Sequence, residues 1–240
     1  MGDIQRVLDA INKQLKYEAV HFMTPDYVQS VKTYSSGSLT LDLALGIGGI
    51  PQGRIIEIYG PSMSGKSTIA MLHAAQVQQA QEGYVAWVDA EHAFDPKLAQ
   101  RYGVQLDELI YIKPKTGEQA IDAVDALIRS GDVRLVVVDS VSALLPAKIA
   151  ESSIEQQTIG LLARFMSATM QKLTPIASLH DCTIIFINQI REKIGAYGNP
   201  ETTTGGRALP FYSSIRLNVR MGDQLKDKNG TVYGHLIKVN

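Results

Sequence analysis

A glycine-rich stretch that ends in a lysine and a serine is the clearest sign of chemistry in the sequence. It fits the pattern G-x-x-x-x-G-K-[ST] at every fixed position, and its residues are Gly60, Pro61, Ser62, Met63, Ser64, Gly65, Lys66 and Ser67. Glycines allow such a loop to curl until its backbone N–H groups point at phosphate oxygens, and the helix that follows adds the positive end of its dipole. We expect this loop to bind ATP, with Lys66 neutralising the β- and γ-phosphates and the Ser67 hydroxyl binding Mg²⁺.

Polar side chains follow three other apolar stretches. Asp89 and Glu91 come after one of them, Asp139 ends a second, and Gln189 ends a third. Asp139 is typical of a carboxylate that holds Mg²⁺ through water. Glu91 is the preferred residue for polarising the attacking water, because a carboxylate beyond the γ-phosphate can accept its proton, and Asp89 is the alternative. Gln189 could hydrogen-bond a γ-phosphate oxygen and so signal the state of the nucleotide; the alternative is an ordinary amide at a strand end.

The pattern of apolar residues predicts the elements that position these side chains. Strands are expected at residues 54–59, 84–89, 110–112, 135–139, 182–189, 211–220 and 231–239. Helices are expected over about residues 4–16, from the glycine-rich stretch to about 81, and over about 96–102, 116–131 and 155–174. Strands that are apolar on both faces and alternate with helices indicate an α/β fold with a mostly parallel central sheet flanked by helices. Ligands of such a sheet bind beyond the carboxyl ends of its strands, where the polar residues lie.

The segment after Gln189 is basic and rich in glycine. Residues 195–206 include four glycines and three threonines, so we expect a long mobile loop over 190–206. Residues 188–220 contain five basic and two acidic side chains, a net charge of +3. Cations, threonine hydroxyls and backbone N–H groups suit a nucleic-acid backbone, and Ile194 and Tyr197 could wedge between bases. The alternative is a solvated loop whose charge is incidental.

Composition narrows the class of protein. The chain has 240 residues and a net charge of −1, so binding of nucleic acid would need a local basic patch. Its single cysteine, Cys182, excludes an internal disulfide framework and suggests a cytoplasmic location. No apolar run reaches the roughly 18–20 residues that span a membrane. The five histidines are scattered without metal-ligand spacing, so we expect neither a membrane partner nor bound zinc.

Seven stretches of the sequence together resemble the bacterial RecA recombinases. They lie at residues 37–42, 60–68, 89–96, 116–120, 136–141, 186–191 and 199–206. The resemblance covers about residues 35–220, and the run Asn-Pro-Glu-Thr-Thr-Thr-Gly-Gly at 199–206 is highly specific to that family. It implies a P-loop NTPase core of the RecA type. The implied activity is DNA-dependent ATP hydrolysis by a protein that acts in recombination and DNA repair.

The resemblance also implies roles for individual residues of the nucleotide site. Glu91 would be the catalytic carboxylate, Asp139 the Mg²⁺ residue, and Gln189 the link between the γ-phosphate and DNA. Asp95 would lie near the adenine. The implied nucleotide contacts include Lys66, Ser67 and Thr68.

The implied partners are single-stranded DNA, homologous duplex DNA and further copies of the chain, assembled as a helical filament or ring. Residues 152–160 and 190–206 would be the two DNA-binding loops. Together with Tyr197 and Arg207 of the basic segment, the expected DNA contacts are Arg164, Arg191, Ile194, Gly205, Gly206 and Arg220.

The sequence departs from the family pattern at several positions. Leu98 stands where an adenine-stacking Tyr is usual, and Pro210 replaces a Lys common at the subunit interface. The chain stops at Asn240, before the family's last core strands, its C-terminal domain and a pair of lysines that reach the neighbouring subunit's ATP. Residues 1–34 are expected to form an N-terminal segment with a helix and a short extended piece at 19–23, and residues 35–240 the core. The N-terminal segment is expected to contact a neighbouring subunit; the alternative is that it packs on its own domain. The alternatives to a recombinase are a helicase-type or branch-migration ATPase of the same fold, or a filament subunit with impaired hydrolysis.

Overall fold

The computed structural model describes residues 2–23, 31–150, 160–192 and 201–240. The chain divides into two compact units, Met1–Val31 and Lys32–Asn240. In the first unit, amphipathic helix α1 spans Gly2–Leu15. The side-chain oxygen of Asn12 accepts hydrogen bonds from the N–H groups of Ala19 (2.8 Å) and Val20 (2.9 Å). These bonds hold the backbone of residues 19 and 20 against α1, and within residues 2–23 no strand forms.

A central sheet forms the framework of the second unit. Its strands are β3 (Ile55–Gly60), β4 (Tyr84–Asp89), β5 (Leu109–Ile112), β6 (Val133–Asp139), β7 (Thr183–Glu192), β8 (Glu201–Thr203), β9 (Ile215–Lys226) and β10 (Val232–Val239). Their order is β10–β9–β3–β7–β6–β4–β5, and β8 pairs with β7. The β9–β10 and β7–β8 pairs are antiparallel and the other pairs are parallel. Two short strands, β1 (Thr33–Tyr34) and β2 (Ile50–Pro51), form a separate antiparallel pair. The predicted mostly parallel α/β fold is confirmed.

Helices cover both faces of this sheet. They are α2 (Leu39–Leu45), α3 (Lys66–Ala80), α4 (Pro96–Arg101), α5 (Gly117–Ser130), α6 (Ala147–Ala150), α7 (Leu161–Leu179) and α8 (Ala208–Tyr212). Single 3₁₀ turns lie at Leu106–Glu108 and Val141–Ala143. The Thr116 hydroxyl caps α5 by accepting the Gln119 N–H at 3.3 Å. Gly131 ends the same helix in a left-handed conformation, which a residue with a side chain adopts only at a cost.

The apolar strands bury both of their faces. Along β6, Val136 and Val138 belong to a core cluster that includes residues of α5 and α7. Leu135 and Val137 alternate with them and belong to a second cluster that includes Trp87 and residues of α3. A strand with core on both sides has no polar face, which is why its sequence lacks alternation. The polar residues at its carboxyl end therefore mark the point where the sheet meets solvent.

Three predicted elements are wrong at their boundaries. The strand expected at 211–220 begins only at Ile215, because Phe211 belongs to helix α8. This short helix buries Leu209 completely while Phe211 is 85% exposed. At the end of this helix, the N–H group and the hydroxyl of Ser213 both donate to the carbonyl oxygen of Leu209. The alternation of apolar and polar residues here reflects a helical turn rather than a strand.

The long loop expected at 190–206 is wrong at two places, residues 190–192 and 201–203, whereas residues 204–206 contain no strand. Residues 190–192 continue strand β7, and residues 201–203 form β8, so that Ile190 pairs with Thr203 and Arg191 with Thr202. The backbone groups of these polar residues are thus satisfied by each other across an antiparallel ladder. Helix α7, expected to end near 174, runs on to Leu179 through Pro175. The expected start of that helix at 155–159 lies outside the described residues.

Candidate active site and nucleic-acid interface

The strands that end in polar residues share one edge of the sheet. Gly60 of β3 lies in register with Gln189 of β7, and Asp89 of β4 with Asp139 of β6. Parallel strands in register bring their carboxyl ends together. The residues singled out from separate stretches of sequence therefore meet in one place.

The glycine-rich loop leads from β3 into helix α3. Gly65 has a φ of 95°, in the left-handed region, and a Cβ there would lie 2.5 Å from Cδ1 of Ile237. Glycine is thus favoured by the backbone conformation, whereas the nearby atom is the movable end of the exposed Ile237 side chain. The exposed residues of the loop are Pro61, Ser62 and Met63, and Thr68 is partly buried in the first turn of α3.

The polar groups of this loop fit the phosphates of a nucleotide. The Ser64 hydroxyl is buried and has no hydrogen-bond partner among the described residues. The ammonium of Lys66 donates to the carbonyl oxygen of Pro61 at 2.6 Å, which uses one of its three protons. Burial lowers the pKa of Lys66, while Asp139 and Glu91 oppose that shift. An anion at the N-terminus of α3 would satisfy these groups.

Ser67 and Asp139 form a pair of oxygen donors beside the loop. The Ser67 hydroxyl donates to Oδ2 of Asp139 at 2.8 Å. Burial is the main cause that raises the pKa of Asp139 to about 6; Glu91 and Asp89 add to the rise, and Ser67 and Lys66 oppose it. Hydroxyl and carboxylate oxygens are ligands that suit Mg²⁺, which usually keeps several waters and substrate phosphates as its other ligands. The described residues contain no cluster of three or more His, Cys, Asp or Glu that could hold a metal alone.

Asp89 and Glu91 differ sharply in their surroundings. Asp89 is 2% exposed, and its carboxylate accepts hydrogen bonds from the N–H groups of Ala93 (3.0 Å) and Phe94 (3.1 Å) and from the Tyr111 hydroxyl (2.7 Å). Burial acts to raise the pKa of Asp89, but these hydrogen bonds outweigh it and hold the pKa below its ordinary value. The carboxylate of Asp89 therefore stabilises the chain's own structure through these three hydrogen bonds.

Glu91 is exposed and only partly engaged. One oxygen, Oε1, accepts hydrogen bonds from the Ser140 hydroxyl and from the side-chain amide of Gln189, the latter at 2.9 Å. Because the only hydroxyl proton of Ser140 goes to Glu91, Ser142 must donate the 2.7 Å hydrogen bond that joins the two serines. Glu91 borders a cavity of about 520 Å³. Its second oxygen has no hydrogen bond within the described parts of the chain.

A buried polar network behind the site was missed from the sequence. Glu57 is fully buried, and its carboxylate accepts hydrogen bonds from Nε of Arg216 (2.6 Å) and Nδ2 of Asn188 (2.9 Å). Asn188 also donates to the carbonyl oxygen of Thr204 at 2.9 Å, while Arg216 lies 4.6 Å from the ring centre of Tyr59. The available signal was a single acidic residue within the apolar stretch of β3.

The expected DNA contacts divide into three groups. Arg164, Arg191 and Arg207 are exposed cations. Gly206, just before Arg207, approaches α7 so closely that a Cβ would lie 2.8 Å from Cβ of Ala163, the neighbour of Arg164. The backbone segment that carries Arg207 therefore lies directly against the segment of α7 that carries Arg164. Ile194 and Tyr197 lie outside the described residues, as do 152–159 of the other expected DNA loop.

The remaining two expected DNA contacts, Gly205 and Arg220, and Asp95, which is expected near the adenine, all contact other residues of the chain. Gly205 is buried with a φ of 89°, and a Cβ there would lie 3.0 Å from both Met166 Cγ and Val141 Cγ1. Arg220 forms an ion pair with Glu201 and donates through Nε to Asn218 at 3.0 Å. Asp95 caps helix α4 by accepting the N–H groups at positions 97 (2.9 Å) and 98 (3.1 Å).

Comparison with known proteins gives one consistent result. A sequence model of the RecA N-terminal domain matches residues 2–240. Protein RecA of Ruegeria pomeroyi is 49% identical over 237 residues, which is 96% of this chain and 68% of that protein. Protein RecA of Bacillus licheniformis is 49% identical over 244 residues, covering 100% and 70%. Protein RecA of Cereibacter sphaeroides is 53% identical over 213 residues, covering 88% and 62%.

Proposed function

The chain belongs to the RecA family, and we propose that the sheet edge described above is the ATPase site through which it acts as a DNA-dependent recombinase. RecA proteins are DNA-dependent ATPases, and the helicase-type alternative is not favoured by these relatives. The main support from the structure is a convergence at one sheet edge: the phosphate loop, the Ser67–Asp139 pair and the Glu91–Gln189 pair lie together.

ATP and Mg²⁺ are the proposed ligands of this edge. Lys66 and the N-terminus of α3 would face the β- and γ-phosphates, and the Ser64 hydroxyl, which has no partner among the described residues, would gain an acceptor. Ser67 and Asp139 would hold the metal ion, which supplies positive charge against the charge on the phosphate oxygens. Asp95, as the cap of α4, is the residue proposed near the adenine.

Glu91 is the proposed general base. Its second oxygen would accept a proton from the water that attacks the γ-phosphorus. A P–O bond forms to the water, the bond from the γ-phosphorus to the β-phosphate oxygen breaks, and ADP and phosphate leave. The Ser140 hydroxyl donates to the other oxygen, Oε1, and would keep the carboxylate oriented after the Gln189 amide turns to the γ-phosphate. Asp89 suits this role less well because its three hydrogen bonds occupy it.

Gln189 is the proposed link to DNA. It lies on β7, two residues before the exposed Arg191, and its amide holds Glu91 in this structure. An amide that instead donated to a γ-phosphate oxygen would release Glu91 and shift the end of β7. We propose Arg164, Arg191, Arg207 and Arg220 as contacts to the DNA backbone, with Ile194 and Tyr197 against bases, and Gly205 and Gly206 presenting backbone N–H groups.

The proposed function also includes binding partners, roles for the two segments of the chain, and a location in the cell. We propose single-stranded DNA and a homologous duplex as the nucleic-acid partners, and further copies of the chain as the partners in a filament or ring. Residues 1–34 would serve subunit contact, and residues 35–240 would be the ATPase core. We propose the cytoplasm as the location, since its ligands are found there. None of the helices in the described ranges is long and apolar enough to cross a membrane.

ATP turnover by the purified chain, with and without single-stranded DNA, tests the proposal. Glu91→Gln should abolish turnover and leave ATP-dependent DNA binding intact, because the amide cannot accept the water's proton. Glu108→Gln, an exposed residue in the 3₁₀ turn just before β5, is the matched control. Equal loss of turnover and DNA binding in Glu91→Gln would contradict its role, and wild-type chain that shows neither activity would contradict the proposed function.

A further inference from the structure

Tyr111 lies on the edge strand β5, directly beside the strand that leads to Glu91. It pairs in register with Trp87 of β4, two residues before Asp89. Although the tyrosine is 46% exposed, its hydroxyl points inward and donates to Oδ2 of Asp89 at 2.7 Å. Burial and the Asp89 carboxylate raise the pKa of Tyr111 to about 12, so the hydroxyl remains a donor at neutral pH.

Asp89 uses that same carboxylate to close the turn that contains Glu91. Its two oxygens accept the N–H groups of Ala93 and Phe94. On the other side of the turn, the N–H groups of Ala90 (2.8 Å) and Glu91 (3.2 Å) donate to the carbonyl oxygen of Asp139. The backbone of Glu91 is thus fixed from two directions, and one of them depends on the orientation of the Asp89 side chain.

The ring of Tyr111 adds a second contact to the same turn. Phe94, at the end of the turn, packs between Trp87 and Tyr111, with ring centroids 5.1 Å and 5.6 Å away. Tyr111 therefore touches the turn through Phe94 and holds the carboxylate that closes it. No other side-chain hydroxyl donates to Asp89 among the described residues.

We propose that Tyr111 is a positioning residue for Glu91, acting through Asp89 and the 89–94 turn. This inference rests on the proposed role of Glu91 in hydrolysis. Without the Tyr111 hydroxyl, Oδ2 of Asp89 keeps one hydrogen bond instead of two, and the turn samples arrangements in which Glu91 is displaced from the attacking water. Small displacements of a catalytic group reduce the rate of the chemical step more than they reduce substrate binding.

Tyr111→Phe keeps the ring contact and removes only the hydroxyl. We expect kcat for ATP to fall about tenfold, equivalent to about 1.4 kcal/mol, with KM for ATP within the scatter of the control. The thermal midpoint should fall, because a buried carboxylate loses a donor. Hydrogen exchange at the amides of Glu91, Ala93 and Phe94 should accelerate by a similar factor. The control is Tyr84→Phe, an exposed tyrosine at the start of β4, which should change none of these quantities.

A double-mutant cycle separates positioning from a general loss of stability. Asp89→Asn should lower kcat at least tenfold, and adding Tyr111→Phe to it should lower kcat no further, because the hydroxyl acts through that carboxylate. Additive losses, an unchanged kcat in Tyr111→Phe, or unchanged exchange in the 89–94 turn would each overturn the proposal. If wild-type chain shows no turnover, the proposed function fails, and the exchange measurement still decides whether Tyr111 orders this turn.

Discussion

Replacing Asp139 with Asn should stabilise the ligand-free protein at neutral pH, although it removes a residue proposed to bind Mg²⁺. The pKa of Asp139 is raised to about 6, chiefly by burial. A carboxyl whose pKa is higher in the folded chain than in the unfolded chain stabilises the fold while it is protonated. That contribution is fully present below the unfolded pKa and is lost as the pH rises through the folded pKa.

The size of the effect follows from the two pKa values. The interval between the ordinary value of 3.8 and about 6 corresponds to about 3 kcal/mol of folding free energy. About 2 kcal/mol of this lies between pH 4.5 and pH 7.5. The amide introduced by Asp139→Asn would not titrate, and its carbonyl oxygen could still accept the Ser67 hydroxyl, so that hydrogen bond need not change.

Urea denaturation at pH 4.5 and pH 7.5, with a chelator and without nucleotide, measures this directly. The stability of Asp139→Asn relative to wild type should rise by about 2 kcal/mol between the two pH values. Asp107→Asn, an exposed residue distant from the phosphate loop, provides the control and should show no such rise. A difference between Asp139→Asn and wild type that is the same at both pH values would refute the reasoning.

Two further substitutions test the surroundings of the site. Gly205→Ala places a Cβ at positive φ and 3.0 Å from Met166, so it should cost about 1–3 kcal/mol in urea denaturation and weaken binding of a fluorescent oligonucleotide; unchanged stability would contradict the close packing. Glu57→Gln removes the charge that faces Arg216, and because that arginine is partly exposed we expect a loss of about 1–3 kcal/mol. A loss no larger than that of Glu108→Gln would show that this ion pair contributes nothing.

The fold could be predicted where local pattern and burial agree. The stretch that ends at Asp139 has no polar residue between Leu135 and Val138, because β6 has core on both faces. The glycine-lysine-serine pattern predicted the position of the loop at the end of β3. Because the carboxyl ends of parallel strands meet at one edge of the sheet, Asp139 and Gln189 could also be predicted to lie near this loop.

The missed features depend on partners that are distant in sequence. The hydrogen bond that Asp89 accepts from Tyr111 is visible only once β5 pairs with β4 and brings Tyr111 beside it. Arg220 was predicted as a DNA contact, and its ion pair with Glu201 is visible only once β8 places Glu201 next to it. Helix α8 exists because Leu209 has a place in the core, and the alternation of the following residues gave no sign of that. Single-sequence patterns record the environment of a residue but not the identity of its partner.

ATP turnover by Gln189→Ala, measured with and without single-stranded DNA, tests most directly whether this edge couples nucleotide to DNA. Gln189 connects the proposed general base, Glu91, to the strand that leads to Arg191. The variant should still bind ATP, since the phosphate loop is unchanged, but DNA should no longer stimulate its turnover. Stimulation equal to that of the wild-type chain would contradict the coupling of ATP hydrolysis to DNA through this residue.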